Sequence, residues 1–83
     1  MRNFKIKVTP EESEVVQKLL FLAGYSWLNG LKLITNPYFQ YLYFSGKHIT
    51  CGYIGSNFIN NPNPEITFEE FITEIEIELN EKF

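Results

Sequence analysis

The chain has 83 residues, of which 45% are hydrophobic and 17% aromatic, and its formal net charge is −3. This length suits one domain, and because a core this small gives limited stability, we expect a homodimer. Cys51 is the only cysteine, which excludes an intramolecular disulfide and a thiolate metal cluster and favours a reducing cytoplasm. No apolar run approaches the ~18 residues of a membrane span, so neither export nor membrane insertion is predicted.

The charge is distributed unevenly along the chain. Residues 1–48 carry Arg2 and five lysines against three glutamates (+3), whereas residues 49–83 carry seven glutamates against Lys82 (−6). Proteins that bind duplex nucleic acid usually present clustered basic residues with several arginines, so duplex DNA or RNA is not an expected partner. The acidic half could mimic nucleic acid, but a solvated helix face explains it more simply.

The first two elements follow from alternation and capping. In residues 3–8 the apolar Phe4, Ile6 and Val8 alternate with lysines, which predicts a strand with one solvent-exposed face. The following Thr9-Pro10-Glu11-Glu12 segment supplies an N-cap, a proline in the first turn and a capping-box glutamate. A helix is predicted over 10–23, with Gly24 as its left-handed stop.

The middle of the chain reads as short strands. Residues 25–28 predict a strand that ends at the turn dipeptide Asn29-Gly30, and a second apolar run follows at 31–34. After the Asn36-Pro37 loop, strands 38–44 and 48–54 form a predicted hairpin. A Ser45-Gly46 loop would pair Leu42 with Ile49 and Tyr43 with His48. One face would then carry Leu42, Phe44, Ile49 and Cys51, and the other Phe39, Tyr41, Tyr43, His48 and Thr50; a three-residue loop would swap the faces of the first strand.

The last third predicts a loop and a second helix. Residues 55–64 are rich in asparagine and proline, and Phe58 and Ile59 are the expected apolar anchors of this loop. A second capping box begins at Thr67, and an apolar stripe follows it. Residues 74–79 also alternate strictly, as a strand would, but the capping box and the stripe favour helix. Ile77 lies off the stripe, where it could contact a partner subunit. The predicted fold is a small α+β domain in the order β-α-β-β-β-α, with an antiparallel sheet and two helices packed on one face.

The residue types that familiar enzyme sites need are mostly missing. The chain has one His, one Cys and no Asp, which leaves few combinations for a nucleophile and its base. His48 and Cys51 stand three apart on a predicted strand and so point to opposite faces. One His with glutamates does not make a familiar zinc site, and the glycines occur singly rather than in a phosphate loop. The sequence predicts a binding protein, without catalysis, metal or cofactor.

Aromatic residues are concentrated in the middle of the chain, and they are Tyr25, Trp27, Tyr38, Phe39, Tyr41, Tyr43, Phe44 and Tyr53. Tyrosines on an open sheet face can stack planar rings, and nearby cations could neutralise a phosphate. The candidate ligand-binding residues are therefore Tyr25, Trp27, Lys32, Tyr41, Tyr43, Lys47 and His48, for a small nucleotide-like ligand. Spacing alone favours the alternative that these aromatics fill the core or an interface.

Three segments resemble a group of small bacteriophage proteins. They are 8–21 with its Thr-Pro-Glu-x-Ser helix start, 24–27 with Gly-Tyr-x-Trp, and 65–70 with Glu-Ile-Thr-Phe-Glu-Glu. The resemblance implies a phage accessory protein, a class that includes sponges for nucleotide signals of bacterial immunity, such as cyclic nucleotides or ADP-ribose derivatives. It supplies no ligand-contact motif. The leading hypothesis is a non-enzymatic counter-defence protein that sequesters such a signal. The alternative is a protein-binding inhibitor that uses the aromatic sheet and the acidic C-terminal helix, and an enzyme cleaving the same signals has the least support.

Overall fold

The computed structural model describes residues 3–34, 40–52 and 54–82, with the backbone alone at Lys82. Over these residues the chain is an α+β domain with a four-stranded sheet and three helices. In chain order the elements are β1 (Phe4–Lys7), α1 (Pro10–Leu22), β2 (Ser26–Trp27), β3 (Tyr41–Ser45), β4 (His48–Gly52), α2 (Gly55–Asn60) and α3 (Phe68–Lys82). The predicted sites or loops at Asn36-Pro37, Tyr38, Phe39 and Tyr53 lie outside the described residues.

The sheet has the order β1-β3-β4-β2. β1 pairs with β3 and β3 pairs with β4, both antiparallel. The short strand β2 departs from the predicted antiparallel sheet because it runs parallel to β4, with Ser26 opposite His48. This arrangement follows from the chain path, since α1 carries the chain across the sheet from the β1 edge to the β4 side.

The hairpin between β3 and β4 turns one residue later than predicted. Its two-residue loop is Gly46-Lys47 rather than Ser45-Gly46, and both residues have positive φ, 56° and 72°, as a type I′ turn requires. Phe44 therefore faces Ile49, and Leu42 faces Cys51. The register differs from the predicted one by two residues, and because side chains alternate with a period of two, the predicted division of the two faces is retained.

One face of the sheet is covered by α1 and α3 and holds the main core. Phe44 is fully buried and lies at its centre, with the rings of Phe4, Tyr25 and Phe71 at 5.9, 6.2 and 5.8 Å. The two nearly perpendicular contacts, to Tyr25 and Phe71, are the edge-to-face geometry that aromatic pairs prefer. We call this side the covered face; its other fully buried members are Ile6, Val16, Leu20, Leu42, Ile49 and Ile75.

The helix ends agree with their predicted signals. Thr9 and Glu12 form the capping box of α1, and Thr67 and Glu70 form that of α3. Gly24 takes the left-handed conformation, with φ 94°, just after α1. Residues 74–79 belong to α3, so the helix interpretation of the alternating segment is correct. Ile77 is about half-exposed, at 52%.

The predicted loop at 55–64 instead contains a helix, α2, over its first six residues. Phe58 is buried as expected, but Ile59 is 76% exposed and so does not anchor the segment. The helix forms although its composition disfavours it, because a tertiary contact from β1 holds its C-terminal end. That contact positions the candidate site.

Candidate functional site

The second face of the sheet carries the tyrosines, and we call it the open face. Its members are Lys5 and Lys7 on β1, Tyr41, Tyr43 and Ser45 on β3, and His48, Thr50 and Gly52 on β4. The pairing places them in cross-strand rows, one of Lys5, Tyr43 and Thr50 and the next of Lys7, Tyr41 and Gly52. Strand alternation alone therefore separates this polar and aromatic set from the core.

The short helix α2 lies over part of the open face. The ring of Phe58 stacks on Tyr41, with centroids 4.7 Å apart and planes inclined by 29°, and its centroid is 6.1 Å from that of Tyr43. Phe58 is thereby buried on the side of the sheet opposite the main core. The contact fixes the position of α2 relative to β3 and leaves the β4 side of the open face uncovered.

Lys5 holds α2 in place through a buried ammonium group. Its side chain is only 7% exposed, and Nζ donates to the carbonyls of Phe58, Ile59 (3.3 Å) and Asn61 (3.0 Å). An ammonium has three donors, and these three acceptors match them. The carbonyls at a helix C-terminus lack intrahelical partners and carry partial negative charge. The Lys5 ammonium supplies both hydrogen-bond donors and a compensating positive charge. Nζ also lies 4.8 Å from the centroid of the Phe58 ring.

The backbone of Lys5 secures the next stretch of chain. Its N–H donates to the carbonyl of Pro64 and its carbonyl accepts from the N–H of Ile66, both at 2.9 Å. Asn63 adds to this attachment, because its amide donates to the Phe4 carbonyl and to the Ser45 hydroxyl. One residue of β1 thus fixes both α2 and the segment that leads into α3.

Between α2 and β4 the open face contains a groove of about 440 Å³, which falls in the size range of small-molecule sites. We call it the open-face groove, and it is lined in part by Tyr43, Thr50, Gly52, Ile54, Asn57 and Asn61. Gly52 contributes no side chain, so its backbone is accessible from the groove. A Cβ added there would lie 3.7 Å from the Tyr43 ring, an ordinary contact distance.

Three polar groups in the groove have no partner within the described part of the chain, and they are the Tyr43 hydroxyl, the Thr50 hydroxyl and the Asn57 side-chain amide. Burial raises the pKa of Tyr43, and the neighbouring Tyr41 adds to the effect. A tyrosine hydroxyl is protonated at neutral pH even at its ordinary pKa, so it can donate a hydrogen bond to a ligand. Together the three groups offer donors and acceptors to a ligand edge.

Two of the predicted ligand residues lie on the covered side. Tyr25 is 2% exposed and packs against Phe44. Burial, followed by the charge of Glu78, raises its pKa to about 12. The Lys47 ammonium lies 4.7 Å from the Tyr25 ring centroid, donates to the Ala23 carbonyl just after α1, and pairs with Glu78 at 3.2 Å. The structure brings these two residues together, but away from the groove.

Trp27 and Lys32 are also not among the described lining residues of the groove, although Trp27 borders a neighbouring depression together with Thr50 and Cys51. Trp27 is opposite Ile49 in the sheet and packs against the main core, and its indole N–H donates to the Leu33 carbonyl at 2.9 Å. Lys32 donates to the Phe21 carbonyl near the end of α1, at 3.4 Å. Of the predicted set, Tyr41, Tyr43 and His48 share the open face, and Tyr43 lines the groove.

The groove residues that the sequence reasoning missed carry recognisable signals. Gly52 is an isolated glycine at a strand end, a pattern that often marks close approach of another group to the backbone. Asn57 and Asn61 are four residues apart, which places them on one side of a helix. This signal is lost if the segment is read as a loop. Lys5 has no distinctive signal, because its place in an alternating strand predicts exposure.

The chain matches no known family model, no curated protein and no solved structure at a significant level. Within residues 3–34, 40–52 and 54–82, no cluster of three or more His, Cys, Asp or Glu side chains could hold a metal ion. No helix in these ranges is both long enough and apolar enough to cross a membrane.

Proposed function

We propose that this protein is a non-enzymatic binding protein that captures a nucleotide-derived molecule in the open-face groove. The observation that carries the proposal is the convergence, on a ligand-sized groove, of one aromatic ring and three polar groups that have no partner among the described residues. Tyr43 supplies the ring, and Thr50 and Asn57 supply hydrogen-bonding groups beside the accessible backbone of Gly52. Stacking of one base on one aromatic side chain contributes about 1–3 kcal/mol.

The resemblance to small phage proteins supports a biological role for such capture. In that role the protein acts in the host cytoplasm and sequesters a nucleotide signal of bacterial immunity, either a cyclic nucleotide or an ADP-ribose derivative. A sponge needs tight binding without turnover. The small set of catalytic residue types in the sequence is consistent with that role.

A capture and release experiment tests the proposal. Purified protein is incubated with a panel of cyclic nucleotides and ADP-ribose derivatives, removed by filtration, and then heat-denatured. We expect one compound to be depleted from the filtrate and recovered intact after denaturation. Recovery of an altered compound would indicate an enzyme, and depletion of none would refute the proposal for the whole panel.

A matched pair of asparagine variants locates the capture. Asn57→Ala removes an amide from the groove, whereas Asn80→Ala removes one from an exposed position of α3. We expect Asn57→Ala to weaken capture about fivefold to tenfold, the equivalent of about 1 kcal/mol for one neutral hydrogen bond. Asn80→Ala should leave it unchanged, and equal capture by both variants would place the ligand elsewhere.

A protein-binding inhibitor is the second candidate, and an exposed apolar surface favours it. The segment after β2 exposes Leu28, Leu31 and Leu33 by 68%, 51% and 63%, and Leu22 on α1 is 56% exposed. Large exposed apolar surfaces often mark protein contacts, and a homodimer would also cover such a surface. Sedimentation analysis of the purified protein, with and without a Leu31→Ser and Leu33→Ser double substitution, tests for self-association. The inhibitor hypothesis gains support if the chain is monomeric and captures no nucleotide.

A further inference from the structure

The open-face groove has no charged side chain among its described lining residues. Its polar groups are hydroxyls and amides, which form neutral hydrogen bonds. A site that depends on a phosphate usually places a cation or a series of backbone N–H groups against it. The open-face groove differs from such a phosphate site, because its hydroxyls and amides match the hydrogen-bonding edge of an uncharged ring.

Two lysines beside the sheet, Lys5 and Lys47, are hydrogen-bonded to backbone carbonyls. The exposed Lys7 shares a row with Tyr41 and Gly52, but it stands on β1, two strands from β4, and is not among the described lining residues of the groove. All three donors of the Lys5 ammonium are matched by the carbonyls of Phe58, Ile59 and Asn61. The Lys47 ammonium is held by the Ala23 carbonyl and by Glu78 on the covered side of the sheet. Moving the Lys5 ammonium to a ligand would leave the carbonyls at the end of α2 without their partner, which is costly for a buried group. Lys47 is exposed, but its contacts hold it on the other side of the sheet.

His48 is the basic side chain of β4. It stands two residues before Thr50 on the open face and is exposed, but it is not among the lining residues. The negative net charge of the chain, −3, also provides no general attraction for an anionic ligand. A phosphate attached to a ring in the groove would therefore meet no charged side chain among the described lining residues.

We infer that the open-face groove recognises the nucleobase or nucleoside portion of its ligand and makes no specific contact with the phosphate. This inference rests on the proposed function, and it states which part of the ligand the protein binds. The ring stacks against Tyr43, and its edge exchanges hydrogen bonds with Thr50 and Asn57. Affinity is then nearly independent of phosphate and changes little with salt, because few ions are released on binding.

Titration calorimetry with simple probes tests the inference. Adenosine, guanosine, cytidine and uridine are each compared with their monophosphates and with inorganic phosphate, at about 50 and 200 mM salt. We expect at least one nucleoside to bind within about threefold of its monophosphate, no binding of inorganic phosphate, and at most a twofold or so change with salt.

The outcomes separate this inference from the function on which it rests. A monophosphate that binds at least about tenfold more tightly than its nucleoside, with strong salt dependence, would overturn the inference and leave the proposed capture intact. If neither nucleosides nor nucleotides bind, including the compounds of the capture panel, both statements fail.

Three variants sharpen the test. Thr50→Val removes a groove hydroxyl without changing side-chain shape, and Thr73→Val makes the same change on α3, where the hydroxyl donates to the Glu69 carbonyl. We expect Thr50→Val to weaken a nucleoside and its monophosphate by the same factor, about fivefold, and Thr73→Val to weaken neither. His48→Gln should leave the ratio of the two affinities unchanged; a selective loss of monophosphate binding would assign the phosphate to His48 and contradict the inference.

Discussion

The two faces of the sheet are organised by different forces. The covered face is a continuous apolar core in which Phe44 contacts three other rings, and its residues come from every strand and from α1 and α3. The open face is half-covered by one six-residue helix, which is held by the Phe58 ring and by the Lys5 ammonium. Burial of apolar area dominates the first face, whereas a few directional contacts determine the second.

This difference explains where a binding groove can form. A close-packed face leaves no space for a ligand, but a small helix held at its C-terminal end leaves the neighbouring strand β4 uncovered. The groove exists because α2 is too short to cover both β3 and β4. Stability and ligand binding should therefore respond to substitutions on different faces.

The largest effect is expected in the core. Phe44→Ala should lower the free energy of unfolding by about 3–5 kcal/mol, because it removes a fully buried ring that other rings surround. Tyr43→Ala, at the adjacent residue on the open face, should cost less than about 2 kcal/mol because the ring is only half-buried. Urea denaturation measures both values. Equal losses would show that the two faces contribute alike to stability.

The next effect should come from Lys5. Lys5→Met keeps the apolar stem but removes the ammonium from three carbonyls, so we expect a loss of about 2–3 kcal/mol. Lys7→Met, on the same strand and the same face but exposed, should change stability by less than about 0.5 kcal/mol.

Amide hydrogen exchange measures the local stability of α2 in the Lys5→Met and Lys7→Met variants. In Lys5→Met the amides of α2 should exchange faster than those of α1, because the anchor of α2 alone is lost. If Lys5→Met and Lys7→Met behave alike in both measurements, then the buried ammonium does not hold the helix.

The last effect is absent at neutral pH and appears only at alkaline pH. Tyr25 has a folded-state pKa of about 12, raised from an ordinary value of 10.0, first by burial and then by Glu78. A raised pKa means that the unfolded chain ionises first, so this contribution to stability is complete below pH 10 and declines as pH rises towards 12. Tyr25→Phe should reduce that decline in denaturation curves. An identical decline in both proteins would show that other groups cause it.

The covered face could largely be predicted from the sequence, because its apolar residues recur with the regular spacing of strands and helices. Alternation in β3 and β4 divides the two faces even when the turn is displaced by one residue. The buried side of α1 shows the limit of this approach, since Ser13 and Gln17 are fully buried and hydrogen-bonded to each other, whereas Val15 and Leu22 are exposed. A polar pair that satisfies itself can occupy a core position, and a hydrophobic stripe does not reveal it.

The candidate site could be predicted only in part. Tyr41, Tyr43 and Thr50 fall on the expected face, but α2 depends on a contact between residues more than fifty positions apart, from Lys5 to Phe58. Local propensity in the asparagine-rich segment favours turns. A single long-range contact of this kind produces no repeating pattern in the sequence. The hydrogen bonds of Lys32 and Lys47 to carbonyls near the end of α1 could not be predicted either. From sequence alone, a lysine in a loop is expected to be a solvated charge.

The most direct measurement of the central claim is a map of amide chemical shifts during titration with the nucleoside that binds best. We predict that the perturbed amides lie at Tyr43, Thr50, Gly52, Asn57 and Asn61, and that Gly52→Ala, which adds a methyl group to the groove, abolishes most of the perturbation while the variant stays folded. Shifts that cluster instead around Trp27 and residues 28–34, and persist in Gly52→Ala, would contradict the assignment of the open-face groove as the binding site.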